Sequence, residues 1–121
     1  MDAISKTVEV DETECTVICT PQGGQLDVAK NDKARWKCKT RQFDFKIDFR
    51  IKLIPGQPTP TVPWPFGTDP PPASGTNNST GWITGGSFMG RFAEVGGFEY
   101  DLFVECDAGL AVLDPIIIVR S

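Results

Sequence analysis

Few side chains in this chain could do chemistry. It has four cysteines, at Cys15, Cys19, Cys38 and Cys106, 16 aspartates and glutamates, and no histidine. Without imidazole it cannot build a Ser-His-Asp or Cys-His nucleophile, a blue-copper centre or most zinc enzyme sites. Cys15 and Cys19 stand four apart in a stretch that reads as a strand. That is about 13 Å along the chain, too far for them to bridge each other. No CxxC spacing marks a Cu(I) or zinc knuckle. The start, MDAISKTVEV, lacks the basic and apolar regions of a secretory signal, so a cytoplasmic location is expected, where disulfides are rare. All four cysteines are therefore read as buried free thiols, with no metal and no cofactor. The acid pairs Asp44/Asp48 and Glu99/Asp101 fall on outward strand faces, where solvated carboxylates lack the desolvation that raises a general acid's pKa. Gly85-Gly86 is not followed by the Lys-Ser/Thr of a phosphate loop. No enzyme is expected.

Charge is the sharper signal. Nine of the 12 Lys and Arg lie between Lys30 and Lys52, against three acids there, Asp32, Asp44 and Asp48. Lys33, Arg35, Lys37, Lys39 and Arg41 alternate with Ala34, Trp36, Cys38 and Thr40, so on one strand they project from one face, about 6.6 Å apart. These five are the candidate partner-binding residues. An acidic protein or an anionic surface is the partner such a stripe would take. The competing reading is pairing with acidic strands: Glu9 and Asp11 early in the chain, or Glu99, Asp101 and Glu105 late in it. If Glu or Asp stood opposite each of Lys33, Arg35, Lys37 and Lys39, the stripe would need no partner. The net charge of −4 argues against nucleic acid, whose binders carry a basic excess.

The elements that must hold these residues are strands. Phe43, Phe45, Ile47, Phe49, Ile51 and Leu53 alternate with Asp44, Lys46, Asp48, Arg50 and Lys52. That period of two belongs to a half-buried strand. Phe98, Tyr100, Leu102, Val104 and Cys106 repeat the pattern, and weaker strands read at 6–11, 15–20, 25–29, 87–92 and 116–120. Trp36, Phe45, Ile47, Phe49, Tyr100 and Leu102 should be buried, with Lys46, Asp48, Arg50 and Asp101 exposed. Turn residues such as Pro21-Gln22-Gly23-Gly24 and Val95-Gly96-Gly97 punctuate the strands. About eight short strands, with no helical periodicity, predict an all-β domain over 1–121, a two-sheet sandwich. No apolar run approaches the roughly 20 residues of a transmembrane helix.

One segment breaks the rhythm. Eight of the 10 prolines lie between Pro55 and Gly81, a connection long for a compact domain. Val62, Trp64 and Phe66 should pack its first half onto the sandwich, while its second half reads as mobile. Pro60-Thr61-Val62-Pro63 fits the PxxP pattern, with a structural crossover the preferred reading. Asn77-Asn78-Ser79-Thr80 holds two overlapping glycosylation acceptor patterns.

Four segments together resemble the cupredoxin family. Val28 to Trp36 is similar to its strand, turn and strand with an inward aromatic, and Phe43–Phe49 to the strand that follows. Gly96-Gly97-Phe98-Glu99-Tyr100-Asp101-Leu102 resembles the approach to the copper cysteine, and Ile116–Val119 the closing strand. The resemblance implies a Greek-key, cupredoxin-like sandwich with the long Pro-rich loop at about 55–81. It also implies that the copper ligands are gone. Leu102 stands where the family places cysteine, no histidine exists, and 109–113 holds no methionine. The expectation is a non-enzymatic binding or structural module. The competing class is an immunoglobulin-like adhesion or secretion-associated domain, which would use oxidised cysteines.

Overall fold

The computed structural model describes residues 5–68, 70–72 and 78–121. Nine strands occur among them: β1 (Ser5–Thr13), β2 (Thr16–Thr20), β3 (Leu26–Ala29), β4 (Lys33–Cys38), β5 (Phe45–Ile51), β6 (Ser87–Arg91), β7 (Gly96–Cys106), β8 (Gly109–Leu113) and β9 (Ile116–Arg120). They form two mixed sheets. One has the order β2-β1-β4-β6, the other β3-β9-β7-β5, with β8 also paired to β7. β1 runs parallel to β4 and β3 parallel to β9, while the other ladders are antiparallel. β7 is long enough to hold β9 along Gly96–Glu99 and β8 along Leu102–Cys106 on the same side.

Alternation decides which face each strand buries. Val8 and Val10 of β1, Ala34 and Trp36 of β4, Phe45, Ile47 and Phe49 of β5, and Phe98, Tyr100, Leu102 and Val104 of β7 all point between the sheets and are fully buried. Trp36 sits at the centre, with the rings of Phe49, Phe66, Phe88 and Tyr100 between 5.5 and 6.1 Å away. The aromatic set expected inside is therefore inside. Lys46, Asp48, Arg50 and Asp101 point outward but are half-buried rather than exposed. Arg50 is held by Glu99 and Asp101, and Lys46 lies over the rings of Phe103 and Trp82.

The Pro-rich connection does two structural jobs. Trp64 and Phe66 enter the core, and the indole N–H of Trp64 donates to the Pro70 carbonyl at 2.9 Å. Further on, Asn78 to Ile83 lie along the free edge of β5. The Phe49 amide donates to the Asn78 carbonyl, the Thr80 amide to the Ile47 carbonyl and the Ile83 amide to the Phe45 carbonyl, at 2.7–2.9 Å. An edge that would offer unpaired donors and acceptors is thus covered. Val62, expected to pack, is largely exposed. Of the stretch read as mobile, 73–77 lies outside the described residues, while Asn78 and Thr80 are bonded to β5. Asn78 donates its side-chain amide to the Phe49 carbonyl at 2.8 Å.

Candidate binding surface

β4 lies inside its sheet, so what flanks it is set by two registers. Lys33 stands between Ser5 and Arg91, Arg35 between Thr7 and Met89, and Lys37 between Glu9 and Ser87. Lys39 follows the strand's end, its amide donating to the Val10 carbonyl at 2.8 Å. One carboxylate therefore lies opposite the stripe, at Lys37. Among the described residues Lys33, Arg35, Lys37 and Lys39 make no ion pair, and Arg35 instead reaches the Met89 sulfur at 3.7 Å. Neighbouring cations at strand spacing repel by about half a kcal/mol per pair in water-like dielectric. The late acidic strand lies elsewhere. Arg50 faces Glu99 across the β5–β7 ladder and also holds Asp101, while Lys52 approaches Glu99 at 3.9 Å. Those ion pairs raise the Arg50 pKa, and the Asp101 carboxyl beside Asp114 holds the Asp114 carboxyl above its usual range.

Arg41 departs from the expected stripe. β4 ends at Cys38, and Arg41 turns toward the end of the sandwich, where it pairs with Glu12 and lies 5.6 Å over the Phe43 ring. The chain leaves strand geometry here because β1, the guide on this side, has passed its last backbone bond to the segment at Val10.

The reading of four free thiols is corrected. Cys15 and Cys106 form a disulfide, with their Cα atoms 5.5 Å apart and a sequence separation of 91. Cys15 is not inside a strand. It is the second residue of the two-residue turn Glu14-Cys15 joining β1 to β2, where both residues take positive φ, 52° and 60°. That is the twist a tight hairpin demands, normally supplied by Gly or Asn. The Glu12 carboxylate accepts the Cys15 amide at 2.8 Å and helps hold it. The turn delivers Cys15 to Cys106 at the end of β7, so the bond ties one sheet to the other. Cys19 and Cys38 are free and buried, and burial pushes the Cys19 thiol up to about 12.

Around the disulfide lies a groove of about 1080 Å³. Glu12, Glu14, Glu105 and Asp107 line it with Arg41, Trp82 and Leu110. Glu12 is engaged by Arg41 and the Cys15 amide; Glu14, Glu105 and Asp107 have no ion pair among the described residues. Leu102, at the position of the copper cysteine in the resemblance, is fully buried in the core. No group of three or more His, Cys, Asp or Glu residues among those described could hold a metal ion. No protein-family model and no curated protein matches the chain.

Proposed function

We propose that the chain is a non-enzymatic binding module that docks an acidic protein or an anionic surface on the outward face of β4. The observation that carries this is the register around the stripe: uncharged or basic residues oppose Lys33 and Arg35, and one acid opposes Lys37. A surface chosen only for folding would place acids there, because opposite charges across a ladder stabilise it by a few tenths of a kcal/mol and like charges do the reverse. The frame we assign is a cupredoxin-like sandwich without copper ligands. The segments that carry that resemblance fall on β3, β4, β5, β7 and β9 of a two-sheet fold.

The test is Lys37→Gln with Lys39→Gln. Unfolding stability should change by less than about 0.5 kcal/mol, as at exposed sites. The salt needed to elute the protein from a sulfonate resin should fall, together with its salt sensitivity. Unchanged elution would remove the β4 face from consideration.

The disulfide favours a second reading of the setting. A bond joining two sheets across 91 residues suits an oxidising compartment better than the cytoplasm. It supports the alternative of an adhesion or secretion-associated sandwich, with the same basic face as its contact.

A further inference from the structure

Resting on that reading of β4, we propose that the partner of the basic face is a second copy of this chain, which presents the acidic groove around Cys15–Cys106. The two surfaces lie on different parts of one molecule, the outward face of the β2-β1-β4-β6 sheet and the end where the β1–β2 and β7–β8 hairpins meet. Contact between them is therefore heterologous, head to tail, and continues from copy to copy unless the rotation closes a ring.

Charge complementarity selects this occupant. The face offers Lys33, Arg35, Lys37 and Lys39 without ion pairs, and the groove offers Glu14, Glu105 and Asp107 without them. Each surface is only partly compensated within its own fold, by Glu9 opposite Lys37 on the face and by Arg41 on Glu12 in the groove.

Apolar anchors accompany the charges on both sides. Met89, opposite Arg35, is 42% exposed and Ile18 on β2 is 50% exposed; at the groove Trp82 is 43% and Leu110 57% exposed. Protein interfaces place such aromatic and aliphatic anchors within a polar rim, and a lysine brought against an indole face adds a cation–π contact. Trp82 takes Lys46 at 5.5 Å and still keeps 43% of its surface exposed.

The experiment is sedimentation velocity of the full chain across a concentration series, at about 20 mM and about 500 mM NaCl, which bracket strong and weak screening. The expected result at low salt is a mass that keeps growing with concentration past the dimer. At high salt the association constant should fall by about tenfold or more, because the contact is charged. Two reversed variants complete the test: Lys37→Glu with Lys39→Glu on the face, and Glu14→Lys with Glu105→Lys at the groove. Each should be monomeric alone, and their equimolar mixture should associate again, with circular dichroism and melting curves verifying that both are folded. A wild-type chain that stays monomeric at low salt overturns the proposal, as does a folded face-reversed variant that still assembles or a mixture that stays monomeric. If the wild type is monomeric yet its retention on sulfonate resin depends on Lys37 and Lys39, self-association is wrong and the binding-module reading stands. If that retention is also independent of them, both are wrong.

Discussion

Removing the Cys15–Cys106 bond by Cys15→Ser with Cys106→Ser should destabilise the domain mainly through its unfolded state. The bond closes a loop of 91 residues. In the chain-entropy account a closed loop of that length lowers the unfolded chain's entropy by about 15 cal/mol/K, or about 4.5 kcal/mol at room temperature. For a domain whose whole stability is of order 5–15 kcal/mol, that is a third or more of the total. Guanidinium unfolding followed by tryptophan fluorescence, with Trp36 and Trp64 both buried, measures it. The midpoint should fall by an amount equivalent to about 3–5 kcal/mol, and the slope should stay the same or rise as the unlinked chain expands. Thiol titration of the denatured, unreduced wild type should count two thiols, Cys19 and Cys38. A count of four, or a loss of stability below about 1 kcal/mol, would refute the reasoning.

Phe49→Ala empties a fully buried site surrounded by Trp36, Trp64, Phe66 and Tyr100 at 5.2–6.0 Å, so thermal or chemical unfolding should report a loss of about 3–5 kcal/mol. Lys46→Ala, which removes only its contacts with Trp82 and Phe103, should cost about 1 kcal/mol or less; the reverse ranking would mean the register of β5 is wrong. Gly90→Ala places a methyl 2.5 Å from the Phe66 ring and should destabilise by about 1–3 kcal/mol, whereas Gly86→Ala, whose nearest atom is 3.9 Å away, should be near neutral. Burial raises the Cys19 thiol from 9.0 to about 12 and raises the Tyr100 hydroxyl above its usual 10.0. The folded state therefore keeps protons that the unfolded state releases. Stability should be complete below about pH 9 and fall as pH rises toward 12, with each group contributing a slope of up to about 1.4 kcal/mol per pH unit. Urea midpoints that stay flat across that range would show that these groups are not buried as described.

The strands that alternate cleanly were legible. β5 and β7 each place apolar side chains on one parity, and the buried set matches them residue for residue from Phe45 to Phe49 and from Phe98 to Val104. β8 was not legible. It is five residues long and follows the two-residue turn Asp107-Ala108, which carries neither Gly nor Asn. Parity puts Arg41 on the stripe because it continues in sequence past Cys38, whereas the strand ends there. The disulfide was hidden twice over. A turn built from Glu14 and Cys15 carries no glycine to mark it, so Cys15 reads in sequence as part of a strand, and pairing at a sequence separation of 91 leaves no local trace. The groove leaves no local trace either, since its acids come from segments far apart in sequence and meet only in the folded sandwich. The stripe needed only period-two reasoning, but what faces it required the registers of β1 and β6.

The parallel pairing of β3 with β9 has a consequence for biosynthesis. Leu26 to Ala29 take their ladder partners from Ile117 to Arg120, so nearly the whole domain must be synthesised before β3 has anything to bond. Until then Leu26 and Val28, both buried in the finished fold, stay solvated, and Cys15 waits for Cys106 with Cys19 as its near neighbour. Contacts this distant in sequence make folding slow, because chain closure is required before the pairing that rewards it. β3 can therefore join its sheet only once β9 has been synthesised, and a nascent chain carries Leu26 and Val28 without their ladder partners until then.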